Sequence, residues 1–108
     1  MSAARRQRVE ISIDDERGVF MISVAAELAH MHPQTLRTYE ARGLIEPQRS
    51  PKNTRLYSQR DVERLRRIQQ LTAEGLNLVG VERVLALEQR VAELESRARR
   101  NGRESDAT

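Results

Sequence analysis

The sequence predicts a mainly α fold: two short helices, a two-stranded hairpin and two longer helices. Four segments are predicted as helices: apolar residues recur at helical spacing in three of them, and Pro33 and Gly43 mark the beginning and end of the other, the second in order. Between the second and third segments, residues 44–57 contain two prolines and are apolar only near their ends. That pattern is typical of a hairpin with a polar, basic tip.

The first two predicted helices are short and adjacent. Ser23 is the expected N-cap of a helix over about residues 23–30. Pro33 suits the first position of a second helix over about residues 33–42, and Gly43 suits the left-handed residue that ends it. Two such helices with a tight turn between them form a helix-turn-helix, whose second helix enters the major groove of DNA.

Two longer helices follow the hairpin. Ser58 and Asp61 resemble a capping box before a helix over about residues 59–74, and Asn77 can cap a last helix from residue 78 to about residue 101. The apolar residues of the last helix have the spacing of a coiled-coil seam: Val84, Leu87, Val91, Leu94 and Ala98. Because little else in the chain remains to cover this seam, we expect a homodimer.

Positive charge is concentrated in the middle of the chain. The net charge is only +3, but residues 36–70 carry nine Arg or Lys side chains against four acidic ones. On the second helix, Gln34, Thr35 and Thr38 can reach base edges, whereas Arg37 and Arg42 can reach phosphates. The alternative is that these arginines form an ordinary solvated face.

The hairpin carries the second candidate contact surface, a wing along the DNA backbone. Its candidate contacts are Arg49, Lys52, Arg55 and Tyr57. Glu40 would repel DNA, so we expect it in an internal salt bridge with a neighbouring Arg. The third helix carries Arg60, Arg64, Arg66 and Arg67, for which phosphate contact and a solvated face both stay open.

Several classes of function are not expected. The chain has no Cys, which excludes disulfides and thiolate chemistry, and His30 and His32 alone would make a poor metal site, so we expect no metal or other cofactor. No nucleophile–base pair or phosphate loop indicates an enzyme. Without an apolar run of membrane-spanning length or a secretory signal, we expect a cytoplasmic, nucleoid-associated protein.

Several spaced motifs resemble the DNA-binding domain of the MerR family of transcription regulators. The motifs are Thr-Leu-Arg-Thr-Tyr-Glu at residues 35–40, Gly-Leu-Ile-Glu-Pro at 43–47, Arg49, Arg-Leu-Tyr-Ser at 55–58, Asp-Val at 61–62 and Gly-Leu-Asn-Leu at 75–78. The resemblance implies a winged helix-turn-helix with a C-terminal dimerisation helix. It also implies that the Tyr39 hydroxyl donates to a phosphate.

A finer resemblance is to the HspR heat-shock repressors within this family. It rests on Ile-Ser-Val-Ala-Ala-Glu-Leu-Ala at residues 22–29 and Met-His-Pro-Gln-Thr-Leu-Arg at residues 31–37. It implies a repressor of chaperone genes that binds double-stranded DNA at an inverted repeat, with a DnaK-type chaperone as co-repressor. Two alternatives are a CbpM-like chaperone adaptor and an excisionase-like architectural protein. The long last helix disfavours the second, and the first is disfavoured by the retention of Arg37, Tyr39, Arg49 and Arg55.

These predictions divide the chain into four regions: a mostly disordered tail over residues 1–17; the DNA-binding domain over 18–80; the dimerisation helix over 81–101; and a flexible tail over 102–108. In the tail, Val9, Ile11 and Ile13 alternate as in a marginal strand but lack partners nearby. The charges that flank the seam are Arg83, Arg90 and Arg97 on one side and Glu88 and Glu95 on the other. They attract in a parallel coil, whereas the family resemblance implies antiparallel helices, so the orientation stays open.

Overall fold

A computed structural model describes residues 15–107 and shows the expected mainly α architecture with a two-stranded wing. The elements are α1 (Ile22–Leu28), α2 (Pro33–Ala41), β1 (Gln48–Arg49), β2 (Arg55–Leu56), α3 (Gln59–Ala73) and α4 (Leu78–Ala107). The strands pair antiparallel, with Gln48 opposite Leu56 and Arg49 opposite Arg55, which confirms the predicted hairpin. The alternating residues Val9, Ile11 and Ile13, in the tail for which we expect disorder, lie outside the described residues.

Helix α1 differs from its prediction at both ends. The N-cap is Met21, which makes no side-chain capping bond, so the prediction of Ser23 as N-cap was wrong. The helix starts earlier because the Met21 carbonyl accepts from the backbone N–H groups of Val24 and Ala25. It ends at Leu28, and His30 takes a left-handed conformation with φ of 59° that turns the chain toward α2.

Helix α2 begins and ends as predicted. His32 is its N-cap, and its Nδ1 atom accepts the Gln34 backbone N–H at 3.0 Å, with Pro33 in the first turn. Gly43 follows the helix with φ of +80°, the left-handed conformation that its lack of a side chain favours. The two histidines at this bend therefore cap and turn the backbone.

Helix α3 begins with the predicted capping box. The Ser58 N–H donates to the Asp61 carboxylate at 3.0 Å, and the Asp61 N–H donates to the Ser58 hydroxyl at 2.9 Å. Further along, Arg66 donates to the Leu28 carbonyl at 2.9 Å and Arg64 to the Leu44 carbonyl at 2.7 Å. These two arginines thus bond to the backbone around α1 and α2, which reduces what they can offer to phosphate.

The chain forms two compact units, which divide between Gln70 and Leu71 inside α3. The first unit has a core drawn from α1, α2, the wing and α3: Ala25, Ala26, Ala29, Leu36, Tyr39, Leu44, Ile45, Tyr57, Val62, Leu65 and Ile68. In the second unit Leu71, Val81 and Leu85 are buried. The regions 18–80 and 81–101, as domain and dimerisation helix, stay predictions.

Helix α4 is longer than predicted and is apolar on an exposed face. It continues to Ala107, so the expectation that the helix ends near residue 101 was wrong. Gly102 does not end it, because an exposed glycine costs a helix only about 1 kcal/mol and no proline follows. On the seam, Leu87 is 64% exposed, and Val91, Leu94 and Ala98 are also exposed.

Within residues 15–107, no helix is both long and apolar enough to cross a membrane.

The described end of the N-terminal tail is bound to the wing. Gln48 on β1 accepts the Gly18 N–H at 2.8 Å and donates to the Glu16 carbonyl at 2.9 Å. A Cβ atom at Gly18 would lie 2.8 Å from the Leu56 carbonyl oxygen, so only glycine fits there. Phe20 then forms an antiparallel bridge with Tyr57. Residues 15–17 therefore form an ordered turn, which corrects the expectation of disorder for that part of the tail.

Candidate nucleic-acid interface

The exposed face of α2 is a continuous stripe. Gln34, Arg37, Thr38 and Ala41 are all exposed and recur at the spacing of one helix face, whereas Leu36 and Tyr39 are buried on the opposite side. No acidic residue lies on this stripe. A helix with one buried and one bare, non-acidic face has the shape needed to enter a groove of DNA.

Arg37 is the cation of this stripe. Within the part of the chain that the structure describes, its guanidinium makes no hydrogen bond or ion pair. Thr38 donates its hydroxyl proton to the Gln34 carbonyl at 3.1 Å, and Gln34 and Thr38 project from the same face one turn apart. Thr35 is half-buried at the side of the stripe, and Arg42, the C-cap residue, is exposed.

Tyr39 belongs mainly to the core. Its side chain is only 6% exposed, and the described residues contain no buried side-chain polar atom that lacks a hydrogen-bond partner. Because the Tyr39 hydroxyl has no protein partner in those residues, it must reach solvent. The ring therefore packs inside while the hydroxyl stays available at the surface.

The wing tip is organised by Ser50. Its hydroxyl accepts the N–H groups of Lys52 at 3.2 Å and Thr54 at 3.1 Å, and Asn53 takes the left-handed conformation that closes the turn. Lys52 is exposed at this tip, and the Arg49 guanidinium donates across the turn to the Asn53 carbonyl at 3.2 Å. The tip therefore presents a cation on a turn of defined shape.

Glu40 joins the wing to α2. Its carboxylate accepts from Arg55 Nε at 2.8 Å, from Arg49 at 3.5 Å and from the Tyr57 hydroxyl at 3.1 Å. This confirms the predicted internal salt bridge of Glu40. Its side chain is only 18% exposed, so the charge–charge attraction is weakly screened by water. Glu40 consequently adds a charged link between α2 and the hairpin to the apolar core that they share.

Tyr57 is not a DNA contact, contrary to its prediction from sequence. Its side chain is fully buried, and Phe20 pairs with it through the backbone. Burial, followed by the nearby Glu40 carboxylate, raises the pKa of the Tyr57 hydroxyl well above its usual range. The hydroxyl therefore stays protonated and acts as a donor to Glu40.

Glu40 neutralises only part of the positive charge of Arg49 and Arg55. Two guanidinium groups share one carboxylate, so one positive charge remains, to which Lys52 adds a second. Arg55 uses Nε for Glu40, and its two terminal nitrogens have no partner among residues 15–107. Arg55 can therefore bind Glu40 and a phosphate at the same time.

Gln48 is a structural residue of this site that sequence analysis missed. Its side-chain amide hydrogen-bonds to the backbone of residues 16–18 in the way a neighbouring strand would. The same segment is also held by Arg60, whose guanidinium lies 3.9 Å from the carboxylates of both Asp15 and Glu16. No local pattern around Gln48 signals this contact, because its partners lie about thirty positions away in sequence. In the described residues, no group of three potential metal ligands gathers.

Comparison with known proteins places this arrangement in one family. Residues 20–88, more than half of the chain, match the family described as MerR HTH family regulatory protein. A putative heat shock protein HspR of Streptomyces coelicolor is 48% identical over 94 residues, which cover 86% of this chain and 62% of that protein. The regulator GlnR of Bacillus anthracis is 33% identical over 75 residues, or 69% of this chain and 58% of GlnR. The chain thus spans less than two thirds of these curated relatives.

Solved structures agree with this assignment. The regulator PbrR691 of Ralstonia metallidurans CH34, in complex with lead(II), has a TM-score of 0.63 and 29% identity over 82% of this chain and 79% of its own. HiNmlR, a MerR family regulator bound to promoter DNA, has a TM-score of 0.60 and 24% identity over 74% of this chain and 67% of its own, a likeness of fold alone. With the match over residues 20–88, the chain belongs to the MerR family of helix-turn-helix regulatory proteins.

Proposed function

We propose that the chain is a sequence-specific DNA-binding transcription regulator. The observation that carries this proposal is the bare stripe of α2, whose Arg37 has no partner among the described residues, beside a cationic wing that Glu40 links to the same helix. A recognition helix for the groove and a wing for the backbone are the two parts that winged helix-turn-helix binding requires. Residues 18–80 supply both parts.

The proposed contacts divide by chemistry. Gln34 and Thr38, with Thr35 at the edge of the stripe, face base edges, because short polar side chains can approach the floor of the groove. The remaining residues bind phosphates: Arg37, Arg42 and the Tyr39 hydroxyl from α2, and Arg49, Lys52 and Arg55 from the wing. Glu40 takes part as a positioning residue, since its carboxylate sets the direction of two of these guanidinium groups.

A second copy of the chain is the proposed partner for α4. The exposed seam of Leu87, Val91 and Leu94 would otherwise leave three large apolar side chains in water along one helix face. Pairing two seams buries them and gives two recognition helices, which suits an inverted repeat in double-stranded DNA. Residues 81–101 are the proposed dimerisation helix.

The regulated genes are proposed from the similarity to HspR. We place the chain in the cytoplasm, on nucleoid DNA, as a repressor of chaperone and heat-shock genes, because the HspR relative shares 48% of residues over most of this chain. The proposed co-repressor is a DnaK-type chaperone, as the resemblance of residues 22–37 to HspR repressors implies.

Arg37→Ala is expected to weaken binding to a mixed-sequence DNA duplex and to lower the slope of log affinity against log salt by about one, because one phosphate contact is lost. The matched control is Arg99→Ala, which removes another exposed arginine without a partner in the described residues, on α4. Gel shifts at several salt concentrations measure both effects. Equal behaviour of the two variants would contradict the assignment of Arg37.

Leu94→Lys is expected to convert the dimer into a folded monomer, because it places a charge in the centre of the apolar seam. Ala92→Lys is the control, since Ala92 is exposed on α4 but lies outside the seam. Sedimentation equilibrium gives the mass, and circular dichroism shows that the helices remain. A Leu94→Lys protein that stays dimeric would rule out the proposed seam.

Genome-wide mapping of bound sites in the source organism, before and after a heat shock, tests the regulated genes. We expect binding upstream of chaperone genes that falls on heating, as transcription of those genes rises. Sequence-specific binding at other promoters, with no response to heat, would contradict heat-shock control and leave DNA binding intact.

A further inference from the structure

We propose that Thr38 makes the recognition helix specific for an A·T base pair at one position of each half-site. This inference rests on the proposed function, because it assigns a base preference to the stripe that enters the major groove. It starts from the state of the Thr38 hydroxyl, which differs from that of an unconstrained threonine.

The hydroxyl proton of Thr38 already takes part in a hydrogen bond within α2. It donates to the Gln34 carbonyl, one turn earlier in α2, at 3.1 Å. A hydroxyl has one proton and two lone pairs, so this bond leaves Thr38 with acceptor capacity only. The Thr38 side chain is exposed on the stripe. It therefore offers a ligand two features, its hydroxyl oxygen as an acceptor and its methyl group.

An acceptor beside a methyl group matches one kind of base pair. In the major groove, an A·T pair presents the adenine amino group, which donates, and the thymine methyl group, which is apolar. Like an A·T pair, a G·C pair presents one amino group and two acceptors, and Thr38 could bond to the acceptors only by withdrawing its proton from Gln34. Unlike an A·T pair, a G·C pair lacks the methyl group. The cytosine amino group alone would satisfy the oxygen and leave the Thr38 methyl group without an apolar partner.

The neighbours of Thr38 on the stripe supply the opposite chemistry. Arg37 has only donors and no partner in the described residues, and the exposed Gln34 side-chain amide can both donate and accept. No other side chain on this face, which ends with Ala41, combines an acceptor-only oxygen with a methyl group. Thr38 is thus the one stripe residue whose chemistry fits an A·T pair in both respects.

The test is selection of bound duplexes from a random-sequence DNA library, followed by sequencing. The original protein is compared with Thr38→Ala, which removes both features, and Thr38→Val, which keeps a methyl group and removes the oxygen. Alanine and valine are both compatible with a helix, so α2 should remain folded. Thr72→Ala is the control, since Thr72 is exposed on α3 outside the stripe.

We expect the original protein and Thr72→Ala to favour A·T over G·C by about fivefold or more at one position of each half-site. Thr38→Ala should lose the preference at that position alone, and Thr38→Val should fall between the two. An unchanged preference in Thr38→Ala, or a G·C pair at the position that changes, would overturn the assignment. Recovery of no enriched sequence by the original protein would instead overturn the proposed function.

Discussion

One carboxylate on α2 links the two elements of the proposed DNA interface, α2 and the wing. Glu40 accepts from Arg55, Arg49 and Tyr57, which all belong to the wing or its base. A negative charge beside a DNA-binding surface repels the phosphates. We therefore attribute the presence of Glu40 to its effect on the orientation of the arginine side chains. By fixing the guanidinium groups against α2 before DNA arrives, Glu40 reduces the entropy that binding would otherwise lose in ordering the wing.

The same carboxylate also sets how strongly the wing can attract DNA. Two arginines bound to Glu40 retain one net positive charge, and the Arg55 terminal nitrogens stay available for a phosphate. Arg37, without any such partner among the described residues, keeps its full charge for the proposed contact with the duplex. The cationic side chains therefore have two different roles in the proposed interface. Arg37 and Lys52 supply charges that no carboxylate binds in the described residues, whereas Arg49 and Arg55 supply charges whose direction Glu40 sets.

Local chemistry made much of this fold predictable from sequence. The Ser58–Asp61 capping box, the left-handed Gly43, the hairpin and the Glu40 ion pair all follow from nearby residues or from charge balance. The burial of Tyr57 could not be predicted from sequence, because it accompanies pairing with Phe20, which lies far away in sequence. The Gln48 contacts with residues 16–18 depend on similar distant partners. The end of α4 was missed because an exposed glycine is only a weak helix breaker.

A double-mutant cycle between Glu40→Gln and Arg55→Met, measured by urea unfolding at one fixed protein concentration, tests the central role of Glu40 most directly. The 2.8 Å contact of a largely buried carboxylate predicts a coupling free energy of about 1 kcal/mol. The cycle of Glu40→Gln with Arg99→Met, at a position not in contact with Glu40, should give none. A Glu40–Arg55 coupling within error of zero would show that the wing and the recognition helix are not held together by this carboxylate.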